Sequence, residues 1–130
     1  MKALDTNLLV RVVAGDDEAQ RVAARAIMAA GDVLLLPTVL MEAEWVLRSR
    51  YGLGRVDIAK GLHTLCALEG VTVASAEAVA KALGSYVVQG DFADLLHFAL
   101  AAEQGATAFA TFDRNFTRPA GESLKVEIIK

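Results

Sequence analysis

The run Val33-Leu34-Leu35-Leu36, closed by Gly31-Asp32 before it and Pro37 after it, constrains the fold more than any other stretch. It is short, and it offers no polar residue to face water. A strand apolar on both sides belongs inside a parallel sheet covered by helices. Similar short runs recur at Met1 to Leu4, Val71-Thr72-Val73, Ala108-Phe109-Ala110-Thr111 and Leu124 to Ile129. Helical spacing occupies most of the intervals between them. Strands alternating with helices predict an α/β chain, and with no repeats or linker-like tracts it reads as one domain over residues 1–130.

The helices follow from caps and stripes. Leu8, Leu9, Arg11, Val12 and Val13 suggest a short helix, with Thr6 and Asn7 as caps. Asp17 to Ala30 is a helix with acidic residues at its positive end and an apolar stripe of Val22, Ala26, Ile27 and Ala30. Further helices are expected from Pro37 to Tyr51, Arg55 to Leu68, Ser75 to Val88 and Phe92 to Gln104.

Composition narrows the chemistry. The chain has 130 residues, 55% of them apolar and 22% charged, with a net charge of −3. A domain of this size buries about two-thirds of its unfolded surface. The apolar surplus points to a full core or to a surface covered by a partner. No apolar run approaches the roughly 20 residues of a membrane helix. The N-terminus has no signal-peptide pattern, so a cytoplasmic location is expected. Cys66, alone and set among leucines, reads as a packed thiol. His63 and His97 are the only histidines, too few for a zinc set with one cysteine. The net charge supplies no general basic field for nucleic acid.

The acidic residues are placed unusually. Asp5 and Asp113 each follow a short apolar strand, where open α/β sheets put their chemistry. Asp91 and Asp94 are three apart and share one face of a helix start. Glu42 stands at helical spacing from Val39, Trp45 and Val46, so a carboxylate on an apolar face is expected there, at a cost unless something compensates it. Glu44 reads instead as an exposed pair with Arg48, worth about 0.3–0.5 kcal/mol. Four or five carboxylates at one sheet edge repel each other unless a cation lies among them. An all-oxygen set suits Mg²⁺ or Mn²⁺. Such an ion stabilises charge on a phosphodiester and activates water for in-line attack, with no serine or cysteine nucleophile.

In this order and spacing, Leu4-Asp5-Thr6-Asn7, Leu40-Met41-Glu42, Asp91-Phe92-Ala93-Asp94-Leu95-Leu96 and Thr111-Phe112-Asp113-Arg114 resemble the PIN-domain pattern. The likeness is closest to VapC-type toxins of bacterial toxin–antitoxin pairs, and Glu42 to Ser49 resembles one subgroup of them. The resemblance implies a five-stranded parallel sheet of order 3-2-1-4-5 and a Mg²⁺-dependent endoribonuclease acting through metal-activated water. It implies that Asp5, Glu42, Asp94 and Asp113 are the catalytic and metal-holding acids, with Asp91 a further candidate. Thr111 and Thr6 would orient carboxylates. It also implies a homodimer and a small antitoxin that blocks the site. Stripes around Val22-Ala26-Ile27 and Val56-Ala59-Leu62 are the expected docking groove for such a partner.

Other residues read as structural. His97 and His63 are expected to pack against apolar neighbours, and Trp45 to pack at helical spacing from Glu42 and Ser49. Arg114 is the basic residue nearest a site acid and a candidate phosphate contact, with Arg118 and Arg11 as rivals. Arg48, Arg50 and Arg55 surround the Gly52-Leu53-Gly54 turn as a candidate RNA edge. Two other classes compete with a ribonuclease. One is a PIN-fold binding module for RNA or a partner without significant turnover. The other is a phosphotransfer domain. A dehalogenase-like enzyme wants a second Asp where Asn7 stands, and a receiver wants a lysine that does not appear after Ala110 until Lys125.

Overall fold

Val33 and Leu35 are 1% and 0% exposed, as an apolar run flanked by Gly31 and Pro37 requires. They lie in β2 (Val33–Leu35), the centre of a parallel three-stranded sheet with β1 (Lys2–Ala3) and β3 (Val71–Val73) on either side. The computed structural model describes residues 1–130 and divides into two units, Met1–Ala74 and Ser75–Lys130. The first unit holds this sheet together with α1 (Thr6–Ala14), α2 (Glu18–Ala30), α3 (Pro37–Ser49) and α4 (Arg55–Cys66). Gly31 and Gly70 let the chain ends beside β2 and β3 approach: a Cβ on Gly70 would sit 2.9 Å from the Gly31 Cα. Both adopt positive φ, 76° and 82°, which favours glycine.

The second unit contains α5 (Ala76–Tyr86), α6 (Phe92–Glu103), β4 (Ala108–Thr111) and β5 (Lys125–Ile128), the two strands pairing in parallel. Val79, Ala82, Leu83 and Tyr86 of α5 are buried, as are Phe92, Leu95, Leu96, Phe98 and Ala99 of α6, and the two helices pack together. Tyr86 meets Phe92 at a ring separation of 5.2 Å. Phe98, Phe109 and Phe116 form a second aromatic group, with Phe109 and Phe116 stacked at 4.9 Å.

The strand neighbours 3-2-1 and 4-5 are both present, but as sheets of three and two strands. β1 is only two residues long and is bonded to β2: Lys2 N–H donates to the Asp32 carbonyl at 2.9 Å and Leu4 N–H to the Leu34 carbonyl at 3.1 Å. Lys2 and Ala3 are exposed, so the expectation of a buried first strand holds only for Leu4, 4% exposed just past it.

Helix faces differ from expectation in α3 and α4. In α2 the inward residues are Ala24 and Met28, so Val22, Ala26 and Ala30 are exposed and Ile27 is half-buried, as an open apolar face there requires. In α4 only Val56 of the expected groove is exposed, while Ala59 and Leu62 are buried in the core. In α3 the buried stripe is Leu40, Ala43, Glu44 and Leu47, a full i, i+3, i+4, i+7 set. That stripe rotates Val39 and Val46 to its margins and leaves Trp45 50% exposed, so Trp45 is not a core residue.

Candidate active site

Asp5 ends the β1 segment and caps α1, its Oδ1 accepting the Thr6 N–H at 2.8 Å. Thr6 is buried at 5% exposure, and its contact with Asp5 runs through the backbone. Glu42 is exposed on α3, which packs against α1. This corrects the expectation of Glu42 on an apolar face and of Glu44 as an exposed pair. Glu44 occupies the stripe, 3% exposed, and Arg48 Nε closes over it at 2.8 Å from Oε2. Glu44 is thus the missed residue of this region. Its signal was its spacing from Leu40, Ala43 and Leu47. Glu42 meanwhile has the openness that a metal-holding carboxylate needs.

In the second unit Asp91 caps α6, its Oδ1 accepting the Asp94 N–H at 3.0 Å. Asp113 sits in a turn fixed from both sides. Its N–H donates to Thr111 Oγ1 at 3.1 Å, and its Oδ1 accepts the Asn115 N–H at 2.9 Å. Thr111 therefore positions the backbone of Asp113. Electrostatics connect the three acids. Partial burial is the main influence holding the Asp94 carboxyl above its ordinary value; the Asp91 carboxylate raises it next, His97 pulls it down, and Asp113 raises it further. His97 itself is exposed, contrary to the packed role expected of it, and so is His63.

The basic residues separate as well. Arg11 is held by Tyr51 OH at 2.6 Å and by Gln20 Oε1 at 2.7 Å, and Arg118 donates to the Leu124 carbonyl at 3.2 Å. Arg114 is exposed beside Asp113. The enclosed surface concavities lie elsewhere: a cleft of about 220 Å³ in the second unit is lined by Lys81, Glu103 and Glu122 and contains none of the candidate acids. An extended phosphodiester chain needs an open surface instead of such a cleft.

Residues 2–122 match the PIN domain family, a span that covers nearly the whole chain and both units. The chain belongs to the PIN domain family. No curated protein matches it. PIN domains are generally nucleases and typically use divalent metal ions. The donors available here fit such an ion in kind. All are carboxylates, the oxygen donors that hard divalent ions take, and the Asp94 carboxyl is raised first by partial burial and then by the nearby Asp91 and Asp113 charges. In neither unit are three such side chains drawn into a ready-made cage. No helix of this PIN domain is long and apolar enough to cross a membrane.

Proposed function

We propose that this PIN domain is a metal-dependent endoribonuclease that acts as the toxin of a toxin–antitoxin pair in the cytoplasm. The match of residues 2–122 to the PIN domain family, whose members are generally metal-using nucleases, is the observation that carries the reading. Asp5, Glu42, Asp94 and Asp113 would hold Mg²⁺ or Mn²⁺, with Asp91 as a further ligand. When bound, the ion supplies charge neutralisation for the scissile phosphodiester and lowers the pKa of the attacking water.

The chain's own residues have separate tasks. Thr111 and the turn through Asn115 hold Asp113 in one orientation, and Asp91 fixes the first turn of α6 and with it Asp94. Thr6 does the same for the start of α1 beside Asp5. Arg114 pairs with a phosphate of the substrate strand. For the partners, the exposed Val22 on α2 and Val56 on α4 support an apolar antitoxin helix and a homodimer. A basic side chain of that antitoxin would reach the acids and compete with the ion.

Purified protein incubated with total RNA should produce discrete cut ends with Mg²⁺ and none with EDTA. Identical RNA profiles in the two conditions would remove the enzymatic reading. The competing reading is a PIN-fold module that binds RNA or a partner without turnover, and the EDTA comparison separates the two.

A further inference from the structure

Phe112 is 77% exposed, the most exposed large apolar side chain in the second unit. The other four phenylalanines behave differently: Phe92 and Phe98 are buried, and Phe109 and Phe116 are half-buried and stacked. The contrast has a geometric cause. Along β4 Phe109 and Thr111 share one face, and successive side chains alternate. Phe112 continues the opposite parity of Ala108 and Ala110. On its far side Phe116 is held down against Phe98 and Phe109, and its N–H donates to the Asp113 carbonyl at 3.3 Å. Phe112 is therefore carried outward on a turn that Thr111 and Asp113 have already stiffened.

We propose that Phe112 is a stacking platform for a nucleobase of single-stranded RNA next to the bond that is cut. The proposal rests on the ribonuclease reading above and names the substrate form that the site takes. Three features converge on it. An aromatic ring exposed to this extent loses hydration unless a flat partner covers it. It immediately precedes a candidate metal-holding acid and is two residues from the exposed Arg114, so base, phosphate and carboxylate contacts fall along one short stretch. A turn held by side-chain and aromatic contacts also loses little entropy when a base stacks on it. Stacking of this kind tolerates any base, while a duplex keeps its bases from reaching the ring.

The test compares a labelled 12-nucleotide oligouridine with an abasic strand of the same length. Binding is measured by anisotropy in an Asp94→Asn background that prevents cutting. Phe112 should favour the oligouridine, and Phe112→Ala should weaken that binding by about 10- to 100-fold while leaving the abasic strand unchanged. Phe112→Trp should restore the preference and Phe112→Leu should not. Melting temperatures should be equal across the series, because the ring is exposed. Equal oligouridine affinity of Phe112 and Phe112→Ala proteins would overturn the proposal, as would full rescue by Leu or loss of self-association in Phe112→Ala, which indicate a protein contact. If such proteins still cut RNA, the ribonuclease reading stands without the platform. If the Asp94 protein neither cuts nor binds RNA, both fall.

Discussion

The two units hold their acids in different ways. In the first, Asp5 is spent partly on capping α1, Glu42 is open to solvent, and the one buried carboxylate, Glu44, is already paired with Arg48. In the second, Asp91, Asp94 and Asp113 act on one another, and Asp94 carries the strain as a raised carboxyl. The buried carboxylate of the first unit is paired with a cation, whereas Asp94 of the second has two acids among its near neighbours. The comparison teaches that burial alone does not mark a functional carboxylate. The informative acid is the one whose neighbours are also acids.

The largest expected effect separates the two glutamates of α3. Glu42→Gln should lower RNA cleavage by on the order of 10²–10³-fold with an unchanged melting temperature. Glu44→Gln should retain cleavage within a few-fold. An inactive, fully folded Glu44→Gln protein would move the site glutamate and break the contrast.

Stability should run the other way. Removing the charge from Glu44 weakens its charge-assisted hydrogen bond to Arg48 beside a buried stripe. Because Arg48 is half-exposed, the loss should be about 1–2 kcal/mol, not that of a fully buried pair. Thermal unfolding should fall by about 3–6 °C for Glu44→Gln.

That inversion also shows what the sequence could and could not disclose. β2 was legible because four consecutive apolar residues between Gly31 and Pro37 admit one environment. The α6 start was legible from Asp91, and the turn at Asp113 from its place after β4. Glu44 was not, since Val39, Trp45 and Val46 also make a helical set with Glu42, and only the packing of Leu40, Ala43 and Leu47 chose between the two faces. The exposed His97 was equally hidden, because α6 is apolar almost all round and any of its positions reads as core. The length of β1 was hidden for a different reason, since its two residues depend on where the backbone finds partners.

A smaller effect tests the strain in the second unit. The Asp94 carboxyl is raised in the folded protein, so its stabilising contribution is present at pH below the unfolded value and is lost as pH rises through the folded one. At neutral pH the ionised group therefore weakens the metal-free fold. Asp94→Asn should raise the metal-free melting temperature at pH 7, and the gain should vanish in acid, where the carboxyl is protonated in both states. Asp5→Asn, which keeps a capping oxygen on α1, should show no such gain. A matching rise in both variants would erase the difference between the units.

The smallest effect concerns Cys66 in the first unit. Burial pushes its thiol up to about 11, so little thiolate exists at pH 8. Alkylation should be on the order of 100-fold slower than for a free cysteine, and denaturant should remove the difference. Rapid labelling of the native protein would mean that α4 opens readily.

The coupled carboxylates of the second unit are the central claim, and calorimetric titration of Mn²⁺ into metal-free protein tests it most directly. Unmodified protein should bind the ion and, at about 100 times the dissociation constant, gain about 2.7 kcal/mol of stability, seen as a higher melting temperature. The Asp94→Asn/Asp113→Asn protein should lose most of the binding heat and most of the thermal gain while remaining folded. Equal Mn²⁺ binding by the two proteins would contradict the claim that these acids share an ion.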